Sequence, residues 1–352
     1  MPLNASKGIE TVNVTAYNHV SLFDILKPEW NDLVQRSPAN HIFMTWEWQS
    51  TWWHVYEPGH LWVLACRDEA GALVGLAPWF VQDRPDGTRA VVAIGCREVT
   101  DYIDIIVDQA QADTIVNCLM AYVAENASQF DMIELCNIPE QSSSYRLLPR
   151  LLKQYGFVTS IAHEDVCPVI DLPDTWEGYL MLLDKKQRHE VRRKLRRAQG
   201  AAEGLDWYVV SHEHDLTTHI DTFLSLMAAS DPDKARFLSD TKNTAFFRSM
   251  IPVVFEAGWL QFAFLAVGGK PVAAYLNFDY EGHILVYNSG LLQTEYGHLS
   301  PGIVLLSHLI RHAIESGHQV FDFLQGDEAY KYRMGGQDTH VYTLTAHWRP
   351  IV

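Results

Sequence analysis

Acidic, basic and phenolic side chains are concentrated in one short stretch near the end of the sequence. A short apolar run contains Asp322 and is followed by Asp327, Tyr330, Lys331 and Arg333. A carboxylate, a phenol and an ammonium group so close together supply a proton acceptor, a proton donor and a positive charge. A solvated loop at the end of a core strand is the alternative, but the density of ionisable groups favours a catalytic role.

The loop before the last long helical pattern has the composition of an anion-binding helix start. In the run Tyr296–Gly302, Ser300 is a favoured N-cap and Pro301 a favoured first helical residue. Gly297 and Gly302 lack a Cβ atom, so a ligand can come close to the backbone. Free N–H groups and the positive end of the helix dipole would then face a phosphate. An ordinary capped helix is the alternative here.

A strongly basic segment stands out in a chain whose formal net charge is −16. Between Lys185 and Arg197 there are eight basic residues and one acidic residue. Apolar residues from Trp176 to Leu195 recur at roughly helical spacing, which predicts one long amphipathic helix with a positive flank. A solvated face and an RNA-binding patch are alternatives for this flank, and the overall negative charge counts against RNA.

Two hairpin patterns indicate a weak internal repeat. The apolar runs 61–67 and 73–81 flank a glycine turn, and so do the runs 260–267 and 271–279, which predicts a β-hairpin in each half. Each hairpin follows two helical segments and precedes a strand, a helix and a further strand. These segments are 22–35, 46–55, 102–107, 110–126 and 132–135 in the first half, and 216–229, 244–256, 284–288, 301–316 and 320–324 in the second.

This order of elements predicts an α+β fold, duplicated in tandem, with mixed sheets flanked by helices. We expect a first domain at residues 1–172 and a second at 173–352, with the last strand, 341–348, able to pair with either half. The first-half junction Asp108–Gln111 has no glycine and carries an acid that repels phosphate. Only the second half is therefore expected to bind a phosphorylated donor.

Three groups of residues resemble a known family. Ser289-Gly290, Ser300-Pro301-Gly302 and the run FDFLQGDEAYKYR at 321–333 resemble the CelD-type acetyltransferases of the GNAT superfamily. These proteins are associated with cellulose or exopolysaccharide loci and are related to the Fem-type peptidyltransferases. The resemblance implies two GNAT-like domains, with the acyl-CoA donor in the second domain and the acceptor in a cleft toward the first. The donor-binding residues that it implies are Asn288, Ser289, Gly297, His298, Ser300 and Gly302.

The resemblance also implies roles for the ionisable residues. GNAT enzymes transfer an acyl group from a thioester to an amine by direct attack, which requires a base, a carbonyl-polarising group and a proton donor for the thiolate. We assign these roles to Asp327, Lys331 and Tyr330 in that order. Asp322 points away from the flanking phenylalanines and is expected to support Lys331 or Arg333 from beneath. The expected acceptor-side residues are Arg188, Arg192, Arg193, Asp101, Asp322 and Arg333.

Composition narrows the remaining choices. Apolar residues at 48% and charged residues at 20% are typical of a soluble globular protein, and no run is long enough to span a membrane. The five scattered cysteines favour buried thiols in the cytoplasm over disulfides or a zinc site. The segment His212–Asp215 contains metal-ligand residue types, but it begins a predicted helix without a distant partner, so no metal is expected.

The sequence therefore predicts a cytoplasmic N-acyltransferase that uses acetyl-CoA or another acyl-CoA as co-substrate. A Fem-type transferase that depends on aminoacyl-tRNA and a non-catalytic acyl-CoA-binding protein are the alternatives. The acceptor is expected to be an amine of a small molecule or saccharide precursor. Amino sugars, amino acids, polyamines, protein lysines and hydroxyl groups all stay open, as do the acyl chain length and the oligomeric state.

Overall fold

A computed structural model describes residues 12–96, 99–201 and 204–348. The chain divides into two compact units. The first consists of Met1–Glu164 and His340–Val352, and the second of Asp165–Thr339. The first unit is therefore built from two separate stretches of the chain. The domain limits expected from the sequence, 1–172 and 173–352, stay a prediction.

Both units contain strands and helices. The strands are β1 (Asn13–Tyr17), β2 (His60–Leu61), β3 (Val63–Arg67), β4 (Leu73–Ala77), β5 (Trp79–Asp83), β6 (Arg89–Ala93), β7 (Ile106–Val107), β8 (Met132–Pro139), β9 (Phe157–Asp171), β10 (Leu205–Val209), β11 (Leu260–Val267), β12 (Lys270–Tyr280), β13 (His283–Leu291), β14 (Val320–Asp322) and β15 (Gln337–Trp348). The α-helices are α1 (Leu22–Gln35), α2 (Trp46–Tyr56), α3 (Ala112–Glu125), α4 (Ser143–Gln154), α5 (Trp176–Leu182), α6 (Lys185–Gln199), α7 (Leu216–Ser230), α8 (Pro232–Ser239), α9 (Thr241–Glu256), α10 (Gln293–Tyr296), α11 (Pro301–Glu315) and α12 (Ala329–Arg333). Within the described ranges, no helix is long and apolar enough to cross a membrane.

The first unit confirms the predicted hairpin and corrects the rest of the repeat. β3 and β4 pair antiparallel, and the run after β4 is interrupted at Pro78, which has no N–H to donate to a ladder. The strand expected at 102–107 is reduced to the two residues of β7. The counterpart of β13 is instead β6, because β6 lies parallel to β8 as β13 lies parallel to β14.

A buried carboxylate explains why the segment before β7 does not form a longer strand. Asp104 accepts hydrogen bonds from its neighbour Ile105 N (2.8 Å) and from Ser144 N at the start of α4 (3.0 Å). Side-chain contacts therefore satisfy backbone donors that a longer strand would have paired with a neighbouring strand. Burial raises the pKa of Asp104 to about 6, while its hydrogen bonds oppose that change.

Two cysteines of the first unit are joined by a disulfide. Cys96 follows β6 and Cys136 lies in β8, with Cα atoms 5.8 Å apart. The expectation that all the cysteines are thiols is wrong for this pair, because the parallel pairing of β6 and β8 brings together residues 40 positions apart. Cys66, Cys118 and Cys167 keep reduced thiols.

The second unit contains a mixed sheet with the strand order β10-β11-β12-β13-β14-β9. Neighbours are antiparallel except β13 and β14, and the hairpin expected at 260–279 is confirmed by β11 and β12. β14 pairs with β13 over three residues and ends opposite Leu285. β12 continues to pair with β13 as far as Leu291. Among the described strands, residues 286–291 therefore have a neighbour, β12, on one side only. We call the other side, which β14 leaves unpaired, the open edge of β13.

The long helix expected from Trp176 to Leu195 is wrong, because the chain breaks it in two. α5 ends at Leu182, and the next residue, Leu183, has extended backbone angles (φ −72°, ψ 146°). Asp184 then starts α6, and its side chain accepts a hydrogen bond from Gln187 N at 2.9 Å. Aspartate is a strong N-cap, so this residue favours a new helix start over continuation.

Gly290 is the position at which β13 comes closest to α7. A Cβ atom on Gly290 would lie 2.4 Å from Met227 N and 2.5 Å from Leu226 C, and these backbone atoms cannot move aside as a side chain would. We predict that Gly290→Ala lowers the free energy of unfolding by about 1–3 kcal/mol, measured by urea denaturation. Gly200→Ala, whose Cβ would meet no atom closer than 3.6 Å, is the matched control. Equal stability of the two variants would contradict this account of the packing.

Candidate active site

α11 starts at the residue that the sequence predicted, Pro301. The turn before it is held by a backbone hydrogen bond and not by the expected serine side chain. Residues Gly297–Leu299 form a short 3-10 helix, and α11 begins at Pro301. Ser300 occupies the N-cap position in the left-handed region (φ 54°, ψ 53°), and its side chain makes no capping hydrogen bond. The expected hydroxyl cap is therefore wrong. The turn is closed by the backbone bond from Ser300 N to Gly297 O, at 3.0 Å.

The two glycines of this loop have different surroundings. A Cβ atom on Gly302 would lie 3.0 Å from Leu291 Cδ2, so Gly302 allows α11 to pack against the end of β13. A Cβ atom on Gly297 would meet no atom within 4 Å. Open space for a ligand is therefore found at Gly297, beside the exposed side chain of His298.

One arginine of the basic helix reaches this loop. Arg197, near the end of α6, donates a hydrogen bond from Nη1 to His298 O at 3.0 Å. Its guanidinium adds a full positive charge beside the positive end of the α11 dipole, where an anionic group is stabilised. The local sequence does not distinguish Arg197 from its neighbours, because a run of basic residues does not reveal which of them faces a neighbouring loop.

The three arginines predicted to bind the acceptor all have partners in their own unit. Arg188 donates to Leu183 O at 3.3 Å, at the break between α5 and α6. Arg192 and Arg193 form ion pairs with Glu177 and Glu190, each with an N–O distance of 2.7 Å. Both pairs are solvent-exposed, and such pairs contribute little stability, so a stronger anionic ligand can replace the glutamates.

The loop after β14 is shaped by two buried polar side chains. Asp322 accepts a hydrogen bond from Leu324 N at 2.7 Å, and Leu324 adopts the left-handed backbone region at φ 56°. Lys331 is 2% exposed, and its Nζ donates to the carbonyl oxygens of Leu324 (3.1 Å), Gln325 (2.6 Å) and Gly326 (3.1 Å). These contacts fix the path of residues 324–326.

The ammonium of Lys331 has no hydrogen left for a substrate. It carries three N–H donors. Besides the three carbonyl oxygens, the Glu328 carboxylate lies 2.9 Å away as a fourth acceptor. The structure therefore gives Lys331 a position in the loop where it holds backbone carbonyls together.

Tyr330 is available as a proton donor. Its ring packs against the core, 6.1 Å from the ring of Phe323. Burial raises the pKa of Tyr330 well above its usual value, and the nearby Tyr275 and the Glu328 carboxylate raise it further. The phenol is therefore protonated at neutral pH. Asp327 lies two residues before α12, the helix that contains Tyr330, and is exposed to solvent.

The remaining predicted residues lie in different places. Arg333 is exposed at the end of α12. Burial is the main cause that lowers the pKa of Lys194 on α6, and the charge of Arg333 is a smaller one. Asn288 lies in β13 and accepts a hydrogen bond from Ser289 N at 3.0 Å. Asp101 is half-buried in the first unit, in the segment before β7.

A lysine that the sequence analysis missed lies at the open edge of β13. Lys234, on α8, donates from Nζ to Ser289 O at 2.7 Å, with Ser289 Oγ at 3.4 Å. Burial lowers the pKa of Lys234, and Lys331 lowers it further, while the Glu328 and Asp231 carboxylates oppose the change. In the sequence, Lys234 is one basic residue in an acidic helix start, a pattern typical of exposed ion pairs.

These contacts bring together side chains from four elements. Ser289 lies directly opposite Tyr275 in the pairing of β12 with β13, and the pKa values of Tyr275 and Tyr330 both respond to Glu328. We call this group the edge cluster. Its members are Lys234, Tyr275, Ser289, Glu328 and Tyr330. No set of three or more histidine, cysteine or acidic residues that could hold a metal ion occurs in the described part of the chain.

Comparison with known proteins identifies the class of the second unit. Residues 185–332 match the Acetyltransferase (GNAT) domain family, a segment that runs from α6 to α12. No curated protein sequence gives a significant match. The GNAT fold is thereby confirmed, and the match identifies the second unit as an acetyltransferase (GNAT) domain.

Three solved structures share the fold over most of the chain. The crystal structure of FemX has a TM-score of 0.63 at 13% identity, and the alignment covers 90% of this chain and 95% of FemX. L-PGS from Bacillus licheniformis has a TM-score of 0.50 at 10% identity, with 86% and 88% covered. A tandem GNAT protein from the clavulanic acid biosynthesis pathway has a TM-score of 0.51 at 12% identity, with 97% and 100% covered. At these identities the likeness concerns the fold.

Replacing Lys331 tests whether it holds the loop. We predict that Lys331→Met lowers the free energy of unfolding by about 2–3 kcal/mol, because three buried carbonyl oxygens lose their charged donor. Amide hydrogen exchange should be faster at residues 324–328 than in the wild type. Lys153→Met, at an exposed position of α4, is the control. Unchanged stability and exchange with lost activity would assign Lys331 to the reaction instead.

Proposed function

We propose that the second unit transfers an acyl group, with acetyl as the default, from acyl-CoA to an amine. The observation that carries the proposal is that the open edge of β13 leads directly to the loop before α11. The open edge of β13 ends at Leu291, which packs against Gly302 at the start of α11, where Arg197 lies. A phosphorylated donor bound at Gly297 and Arg197 would have its acyl end along this edge, toward Tyr330.

The reaction follows from the side chains near that edge. The lone pair of the amine attacks the thioester carbonyl carbon, and the carbonyl π electrons move to the oxygen. Collapse of the tetrahedral oxyanion re-forms the C=O bond and breaks the C–S bond. We assign protonation of the departing thiolate to Tyr330, whose raised pKa keeps it protonated, and removal of the amine proton to the exposed carboxylate of Asp327.

The acceptor side of the proposal rests on exposed cations. Arg192, Arg193 and Arg333 are solvent-exposed on α6 and α12, and they suit a phosphate or carboxylate carried by the acceptor. A saccharide precursor that bears both an amine and a phosphate combines these requirements. Arg188 and Asp322, whose contacts hold helix and loop ends, would act by positioning their neighbours. The acceptor-side role expected for Asp101, a residue of the first unit, stays a prediction.

An aminoacyl ester on tRNA is the second candidate donor. The outward N–H and C=O groups of Ser289 already bond to Asn288 and Lys234, so the amides of a pantetheine arm would find part of the edge occupied. An aminoacyl ester needs no such arm. The likeness of the fold to FemX agrees with this alternative, and both donors present an activated acyl carbonyl to the same cluster.

Charge at Gly297 tests the donor site. We predict that acetyl-CoA binds the wild type and that Gly297→Glu weakens binding by about tenfold or more, because a carboxylate would face the donor phosphates. Isothermal titration calorimetry measures both affinities. Gly297→Gln has the same shape without the charge and should bind far more tightly than the Glu variant. Gly297 suits the test because a new side chain there clashes with nothing within 4 Å.

The outcomes separate the two donors. Absence of acetyl-CoA binding to the wild type would overturn the acyl-CoA proposal, and transfer from charged tRNA would then support the second candidate. Equal binding by the Glu and Gln variants would place the phosphates elsewhere. Glucosamine, lysine and spermidine represent the amino-sugar, amino-acid and polyamine acceptors in the activity assay.

Removing one hydroxyl tests the proton donor. We predict that Tyr330→Phe lowers kcat by about 100-fold, a typical effect of losing a general acid, while acetyl-CoA affinity stays unchanged. The thiol of released CoA gives the rate. Tyr332→Phe, at an exposed position on the same helix, should keep the wild-type rate. A Tyr330→Phe variant with wild-type kcat would remove Tyr330 from the mechanism.

A further inference from the structure

Lys234 has hydrogen-bond donors that the protein does not use. An ammonium group carries three N–H donors, and Nζ of Lys234 has one short contact, to Ser289 O at 2.7 Å. The second contact, to Ser289 Oγ, is long at 3.4 Å. Among the described residues, no carboxylate is in salt-bridge contact with Lys234. A partly buried cation with spare donors is complementary to an oxygen atom that gains negative charge.

The second buried lysine of the unit does not share this property. Nζ of Lys331 lies within 3.1 Å of three carbonyl oxygens and 2.9 Å from the Glu328 carboxylate. All its hydrogens are directed at protein atoms, and moving them to a substrate would leave buried carbonyls without a donor. The carbonyl-polarising role expected for Lys331 therefore needs another cation, and Lys234 is the cation at the open edge of β13.

The position of Lys234 fits this role. It contacts the strand residue that lies opposite Tyr275, and Glu328 acts electrostatically on Lys234, Tyr275 and Tyr330 alike. The donor of positive charge and the proposed proton donor thus belong to one cluster. A tetrahedral intermediate has its oxyanion and its leaving sulfur on the same carbon, so two such groups are needed close together.

The geometry points to Lys234 as the residue whose ammonium hydrogen-bonds the carbonyl oxygen of the acyl donor and stabilises the oxyanion formed by amine attack. The inference rests on the proposed acyl transfer and adds the group that receives the negative charge. It applies to a thioester or an aminoacyl ester, since both have this carbonyl. Lys234 forms no covalent bond, and its hydrogen bond strengthens as the π electrons move to oxygen and weakens when the C=O bond re-forms.

The charged groups around Lys234 set its pH behaviour. The Asp231 carboxylate, just before α8, the Glu328 carboxylate, just before α12, and the Lys331 ammonium on α12 act on it. Ser289 on β13 is uncharged. Burial is the largest cause, and it lowers the pKa of Lys234 below the usual lysine value. Because the ammonium exists only below its pKa, kcat should fall as the pH rises through that lowered value. Lys234→Arg keeps its charge throughout this range, so the alkaline fall should be absent.

The experiment compares Lys234→Met and Lys234→Arg with the wild type, using acetyl-CoA and the acceptor panel of glucosamine, lysine and spermidine. We expect kcat of Lys234→Met to fall by about 100-fold or more, as when an oxyanion donor is removed. The Kd for CoA, which lacks the acyl carbonyl, should stay unchanged. Tm should fall only by the small amount that follows from losing the one hydrogen bond to Ser289 O. Lys153→Met, at an exposed lysine outside the second unit, is the control for loss of a positive charge.

Each outcome distinguishes this inference from the proposed function. Wild-type kcat in Lys234→Met would overturn the role of Lys234 while acyl transfer stands. A combined loss of CoA binding and Tm would assign Lys234 to packing and overturn it as well. If the wild type transfers only from aminoacyl-tRNA, the CoA donor is wrong, and the same variants are then compared with the ester donor. No transfer from either donor would overturn both proposals.

Discussion

The unequal lengths of two parallel strands impose the main constraint on the second unit. β14 ends opposite Leu285, whereas β13 continues to Leu291, so the outward backbone groups of the longer strand lose their ladder partners. Buried N–H and C=O groups without partners cost about as much as a lost hydrogen bond, so other groups must pair with them. Asn288 supplies an acceptor and Lys234 a donor at Ser289. The polar chemistry of the site is built on this requirement.

Lys331 and Lys234 meet the cost of burying a cation in different ways. Lys331 is surrounded by carbonyl oxygens and a carboxylate, so its charge is compensated within the protein. Lys234 donates one short hydrogen bond, and two more distant carboxylates offset only part of the effect of burial, so its pKa is lowered. Incomplete compensation is costly in the free protein. The same incompleteness makes Lys234 responsive to a ligand that carries negative charge.

The sequence predicted the elements better than it predicted the contacts between them. Apolar periodicity and capping residues located α1, α7, α11 and the hairpin of β11 and β12 closely, because these signals are local. The break at Leu183 was missed, since the apolar spacing continues across it and only the cap at Asp184 separates the helices. The equivalence of β6 and β13 was missed because it depends on which strands pair in parallel, a non-local property.

For the candidate site too, the sequence predicted local features but not the contacts between distant residues. The motifs at 300–302 and 321–333 located the correct loops, but the partners of each side chain depend on tertiary placement. Nothing in the local sequence distinguishes Lys331, which is fully bonded, from Lys234, which is not. Arg197 likewise gains its contact with His298 from the packing of α6 against α11.

The first unit consists of two separate chain segments, and this determines when it can finish folding during synthesis. Its strand β8 pairs with residues 341–347 of β15, so one side of β8 lacks its partner until about two hundred further residues have left the ribosome. The second unit is contiguous, and its strands are all available earlier. Contacts of such sequence separation form slowly, and a strand without its neighbour is prone to wrong pairing. The N-terminal unit therefore reaches its final fold last, which reverses the usual order of folding on the ribosome.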